Sequence, residues 1–221
     1  MKYWLTFLFM FLNIFMFGQL PEGFVYVEDV IPDLNVELRY YTNHNFVGKP
    51  IEGYQSHKLI LTKETANALK KVQEVLLLQN LCLKVYDGYR PQRAVNHFID
   101  WARHLNDTIN KKTYYPNVDK SSLFKEEYIA TRSGHSKGST LDLTIIDANT
   151  GKPLDMGTPY DFFGEESWVN FQGITKEQKN NRQLLQNVML RHGFRNYPKE
   201  WWHFTLRQEP FPDTYFDFVI E

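Results

Sequence analysis

One carboxylate constrains this chain more than any other residue. The segment from Thr140 to Ile146 sets Leu141, Leu143 and Ile145 on one side and Thr140, Asp142 and Thr144 on the other, the two-residue period of a strand. Asp142 therefore sits mid-strand between two leucines, where burying a charge is costly unless a partner compensates it. Seven residues upstream lies His135, in the polar stretch Ser133-Gly134-His135-Ser136-Lys137-Gly138. Gly138 permits a turn between them, so both side chains can converge on one point. Far downstream the chain reads Glu200-Trp201-Trp202-His203. Two histidines, an aspartate and a glutamate three residues before the second histidine match the inventory of a catalytic zinc site. Such a site has three protein ligands, a position open to water and a carboxylate to take the water's proton.

Each half of that pattern is weak alone. A histidine followed by an aspartate at this spacing is more often coincidence than a ligand pair, and Glu-x-x-His is common. Trp201, Trp202 and Phe204 read as strand, not as the helix of a His-Glu-x-x-His site. The joint presence of both segments, with Arg90 in a turn, carries the reading. The other histidines have ordinary explanations. His97 and His104 share a helix without a carboxylate at ligand spacing, and His44 and His57 lie in loops. His192 is favoured by its place at a helix C-terminus.

At 221 residues the chain suits one domain with a real core. The formal net charge of −1, without a Lys/Arg run, argues against a nucleic-acid partner. No obligate protein partner is evident. Cys82 is the only cysteine and lies between Leu81 and Leu83, which reads as a buried, inert thiol. Met1-Lys2, an apolar run from Tyr3 to Phe17 and Gly18 fit a secretory signal peptide over residues 1–18, followed by a domain over 19–221. The apolar run is short for a spanning helix, which needs roughly 20 residues; an uncleaved anchor is the alternative. The expectation is an exported protein, periplasmic or secreted, with no membrane contact beyond that segment.

Strands are expected at Phe24–Val27 and Val36–Tyr40, with a loop over 41–60. Thr62 reads as an N-cap for a helix over 63–79, where Ala68, Leu69, Val72, Val75 and Leu76 recur at helical spacing. Leu81–Tyr86 reads as a strand, Asp87-Gly88 as a turn, and Pro91 as the opening of a second helix. That helix presents Ala94, Val95, Phe98, Trp101, Ala102 and Leu105 on its apolar face. Residues 106–130 are ambiguous, and 147–173 form a long loop of the kind that is often functional. Thr175 and Gln178 make a capping box for a helix that runs to His192 and stops at Gly193. Closing strands follow at Phe194 and at Trp201–Leu206. The order of elements gives an α+β single domain rather than a regular βαβ series.

At these residues the chain resembles a known group. Ser133-x-His135-x-x-Gly138-x-x-x-Asp142, with Glu200-x-x-His203, is similar to the zinc D-alanyl-D-alanine peptidases related to hedgehog domains. Leu38-Arg39-Tyr40 with Asn45-Phe46, Tyr86-Asp87-Gly88-Tyr89-Arg90-Pro91, and Met156-Gly157-Thr158-Pro159-Tyr160-Asp161 narrow the resemblance to the D-alanyl-D-alanine dipeptidases of the vancomycin-resistance type. It covers nearly all of the chain after residue 18. The resemblance implies a small central antiparallel sheet flanked by helices, with one zinc ion on the sheet held by His135, Asp142 and His203. It implies Glu200 as general base and Arg90 as the group that offsets the developing oxyanion. Asp161 with Tyr40 would receive the substrate's ammonium, and Ser133 would lie near its carboxylate. Position 140 is Thr where the family pattern commonly has Ala, which is expected to alter the floor of the pocket. The implied reaction is hydrolysis of the dipeptide D-Ala-D-Ala to two D-alanines, in cell-wall turnover or salvage. The alternatives are a D,D- or L,D-carboxypeptidase acting on peptidoglycan stem peptides, and a non-catalytic zinc-binding module.

Overall fold

The computed structural model describes residues 20–221; the expected signal segment lies outside them. The chain opens with β1 (Phe24–Tyr26), β2 (Asn35–Val36) and β3 (Ile60–Thr62), the first and third pairing antiparallel. Then come α1 (Lys63–Leu77), β4 (Leu81–Asp87), α2 (Gln92–Arg103) and the single turn α3 (Lys111–Tyr114). The second half holds β5 (Thr140–Asp147), α4 (Lys176–Arg191), β6 (Phe194–Tyr197) and β7 (Glu200–Leu206). The main sheet has the order β2-β4-β5-β7-β6. Its pairs are antiparallel except at the edge, where the two residues of β2 run parallel to β4.

The helices form where the apolar spacing demands them. Ala66, Leu69, Val72 and Leu76 of α1 recur every three or four residues and are fully buried, the pattern of one core-facing stripe. The helix ends at Leu77, two residues earlier than its periodicity suggests, because Asn80 turns the chain with φ +56°. On α4 the expected capping box is complete, with Thr175 and Gln178 each serving the other's backbone. α1 and α4 contact each other and pack against β4, β6 and β7. Phe46 joins α2 to the surrounding loops, its ring centroid 5.0 Å from those of Phe98, Trp101 and Phe163.

Central placement changes the meaning of the alternation in β5. Both of its faces are covered, so Thr140, Asp142 and Thr144 are buried along with the leucines. Two local expectations give way to packing. Of the strand expected over Val36–Tyr40 only Val36 pairs, together with Asn35 before it; Arg39–Tyr41 forms a 3-10 turn that drives Tyr40 into the core at 2% exposure. Leu105 lies beyond the end of α2 and is 53% exposed rather than on its apolar face. Cys82 is buried, as its neighbours suggested.

Candidate metal centre

The sheet builds two thirds of the centre. Asp142 of β5 and His203 of β7 are direct register partners. His135 arrives from a 3-10 turn, Gly134–Lys137, capped by Ser133, whose Oγ accepts the His135 N–H at 3.3 Å. The turn closes through Gly138 at φ +79°, where an added β-carbon would also come within 2.2 Å of the Phe24 ring. His135 Nδ1 lies 2.8 Å from Gly88 O, which fixes that nitrogen as the donor and leaves Nε2 bare.

Three atoms then converge. His135 Nε2 is 3.4 Å from Asp142 Oδ1 and 3.3 Å from His203 Nδ1, and His203 Nδ1 is 3.1 Å from Asp142 Oδ1. Zinc bonds of about 2.0–2.1 Å in tetrahedral geometry require donor–donor edges of roughly 3.3 Å. The triangle therefore matches one face of a zinc tetrahedron. Asp142 Oδ1 is buried and faces these two imidazole nitrogens, a set of donor atoms that a cation between them would satisfy. The other oxygen, Oδ2, accepts from Tyr160 OH at 3.1 Å and from Arg90 Nη2 at 3.4 Å. Burial opposes the charge on Asp142, but His135 and His203 outweigh it and hold the carboxyl well below its usual range. Burial likewise opposes the charge on His203, while its bonds to Asp142 and Glu200 raise its pKa to about 9.

Glu200 lies beside the triangle, its Oε2 3.3 Å from His203 Nδ1. In a regular strand residues three apart face opposite sides. Here β6 and β7 lose register between Asn196 and Tyr197, so Tyr197 pairs with Glu200, and the irregularity re-aims that side chain. Arg90 donates from Nε to Asp87 Oδ2 at 2.8 Å and stacks over the rings of Tyr40 and Phe98. Tyr40 OH donates to Asp161 Oδ2 at 2.9 Å. Asp161 is buried; burial first, then repulsion from Asp142, push its carboxyl well above the usual range, with Arg90 and the Tyr40 bond opposing.

All eight residues singled out from the sequence line one cleft: Tyr40, Arg90, Ser133, His135, Asp142, Asp161, Glu200 and His203. Its cavity volume is about 190 Å³. Thr140 does not form the floor of that cleft. Its Oγ1 sits 2.9 Å from Thr205 Oγ1 on the neighbouring strand, beneath Gly134. Two supporting residues carried no role in the sequence reading. Asp87, fully buried, accepts from Arg90 and from Tyr54 OH. Tyr160 holds Asp142 and stacks on Tyr86 with centroids 4.6 Å apart. Asp87 was detectable as a carboxylate three residues before Arg90; Tyr160 only as the neighbour of Asp161.

Three candidate ligands rather than four among the described residues would leave a position for water, which separates a catalytic zinc centre from a structural one. Fold and site together define a zinc metallopeptidase. The chain belongs to peptidase family M15, whose model, described as D-ala-D-ala dipeptidase, matches residues 21–221. A D-alanyl-D-alanine dipeptidase of Enterococcus faecium is 39% identical over 199 residues, 90% of this chain and 98% of that protein. One from Streptomyces coelicolor is 39% identical, covering 89% of this chain and 98% of its own length. A solved zinc complex of a vancomycin-resistance D,D-pentapeptidase aligns with TM-score 0.42 at 17% identity, over 70% of this chain and 76% of that one.

Proposed function

We propose that this chain hydrolyses D-Ala-D-Ala to two D-alanines, and that it does so outside the cytoplasm, salvaging dipeptide released from the wall. The observation that carries the substrate reading is Asp161. It is a buried carboxylate in the metal cleft whose hydrogen-bonded partner is a neutral tyrosine. Such a group favours a ligand that brings its own cation, and a free dipeptide brings an α-ammonium. The small cavity fits the same substrate, since pockets for larger ligands run to about 300–1,000 Å³. The export reading rests on residues 1–18 alone.

Bound zinc would polarise the scissile carbonyl and acidify a water. Glu200 takes the proton of the attacking water at its carboxylate and returns it to the leaving nitrogen. The Arg90 guanidinium offsets negative charge as it develops on the carbonyl oxygen. The Ser133 oxygen already accepts from His135 N–H, so its own proton remains to be donated to the substrate's carboxylate. Purified protein, with and without chelator, tests the reading on D-Ala-D-Ala and on a stem pentapeptide. Chelator-sensitive release of D-alanine from the dipeptide alone is expected. Preference for the pentapeptide would establish a carboxypeptidase instead, and activity confined to the cytosolic fraction would overturn the export proposal.

A further inference from the structure

The loop that carries Asp161 has little regular structure of its own, only a 3-10 turn at Glu165–Ser167. Yet Asp161 adopts φ +62°, in the left-handed region. A non-glycine residue stays there only where its surroundings over-determine it. Tyr40 holds the Asp161 side chain itself, and a second group, from α4, holds the loop on either side of it. Arg182 is 2% exposed, and its guanidinium makes three hydrogen bonds of 2.7 Å to main-chain carbonyls. Nε reaches Met156 O on one side of Asp161, while Nη1 and Nη2 reach Trp168 O and Glu166 O on the other. The loop is thus gripped on both flanks of the residue it displays.

The partners of this arginine make its role specific. Among the described residues they are carbonyls alone, so a buried cation is committed to the shape of one loop. Burial draws its pKa down to about 10, which leaves it charged at neutral pH. The same face of α4 adds Gln178 to Asp155 Oδ2 and Asn181 to Asp155 O, both at 2.9 Å. Residues 178, 181 and 182 are neighbours on a helix surface, so α4 acts as a mould for the loop.

We propose that Arg182 is a positioning residue for amine recognition: by bracketing Asp161 it sets the enzyme's preference for a free α-ammonium over an acylated one. This rests on the reading that Asp161 receives that ammonium. A lysine keeps the charge but is a flexible point donor that cannot span three separated carbonyls.

The test compares wild type, Arg182→Lys, Asp161→Asn and the double variant on D-Ala-D-Ala and N-acetyl-D-Ala-D-Ala, with zinc content measured throughout. Arg182→Lys is expected to keep one zinc per chain and a kcat close to wild type. Its KM for the free dipeptide should rise about 10-fold or more, as expected when a binding group is misplaced, and its preference over the acetylated dipeptide should shrink. In the Asp161→Asn background the same change should add nothing to KM. A folded Arg182→Lys with wild-type KM and preference overturns the proposal, as does an equal KM increase in both backgrounds. If Arg182→Lys does not fold, Asn181→Ala carries the test. A smaller shift in the same direction supports the proposal, and unchanged preference overturns it. Failure of the substrate reading is distinguishable, because wild type would then cleave free and acetylated dipeptides alike.

Discussion

Asp142 and His203 face each other across β5 and β7, and Asp142 Oδ1 stands 3.1 Å from His203 Nδ1. Directly opposed strand residues have β-carbons about 4.5–5.5 Å apart. Two of the three donors are therefore fixed by sheet register, and only His135 depends on a turn. Removing a donor and removing the neighbouring carboxylate should separate cleanly. His203→Ala is expected to lose zinc and activity together. Glu200→Ala should retain zinc while kcat falls by at least ~10²-fold, the low end for general acid–base catalysis. Metal analysis beside turnover decides it; an empty Glu200→Ala and a full His203→Ala would exchange the two roles.

A proton on His203 competes with a metal for the same nitrogen, so metal binding and apo stability should depend on pH. Its folded pKa of about 9 lies above the ordinary 6.5. The stabilisation from its bonds to Asp142 and Glu200 is therefore complete below pH 6.5 and lost as pH rises through about 9. Chelated protein should show this component as a Tm that declines across that window, and His203→Ala should lack it. Zinc must displace the same proton, so its apparent affinity should rise over the same range, with protons released on binding. Melts of chelated protein against pH, and zinc titrations in buffers of different ionisation heat, measure both.

What the sequence disclosed was whatever rests on local pattern. The period-two alternation of β5 located Asp142, the capping box located α4, and the Gly138 turn located His135. What it concealed was set by neighbours distant in the chain. Thr140 lies two residues from Asp142 on the same side of an ideal strand, which suggested the pocket, yet Thr205 and Gly134 claim its side chain. The parallel edge strand β2 is only two residues long, too short for any periodicity. Arg182, in a helix with polar residues on most sides, looks like a surface cation until the loop folds over it.

Arg90 offers a contrast between charge and shape. Its fork binds Asp87 through Nε and reaches Asp142 through Nη2 while lying on the Tyr40 ring. Lysine cannot reproduce that planar, two-partner arrangement. If Arg90 acts on developing charge, Arg90→Lys should lower kcat and kcat/KM alike with little change in KM. Steady-state kinetics on D-Ala-D-Ala give the answer; a defect confined to KM would recast Arg90 as a ground-state binding group.

Gly134 and Thr140 form a complementary pair. A β-carbon on Gly134 would lie 2.9 Å from Thr140 Oγ1. Gly134→Ala should therefore destabilise by about 1–3 kcal/mol, the usual range for overpacking, and weaken zinc binding by shifting His135. Thr140→Ala removes the obstacle, while losing its hydroxyl's bond to Thr205 costs about 1 kcal/mol. The double variant should be more stable than the sum of the two losses predicts. Denaturant melts of the four proteins close the cycle, and strict additivity would mean the two sites do not meet.

Substrate length and handedness give the sharpest expectation. Asp161 is buried with Tyr40 as its hydrogen-bonded partner, so an arriving ammonium completes an ion pair that an amide cannot make. Breaking one side of a buried pair costs on the order of 3–5 kcal/mol, which corresponds to roughly 10²–10⁴-fold in kcat/KM. N-acetyl-D-Ala-D-Ala and longer stem peptides should therefore be poor substrates by that factor. L-Ala-L-Ala has both terminal charges, but with its ends anchored its methyl groups point the wrong way, so it too should be cleaved poorly. Asp161→Asn should raise KM for the free dipeptide and compress its advantage over the acetylated one, with zinc content unchanged. Rates for the four substrates, compared between wild type and Asp161→Asn, test each part. Equal cleavage of free and acetylated dipeptides by wild type would transfer the protein to the carboxypeptidases.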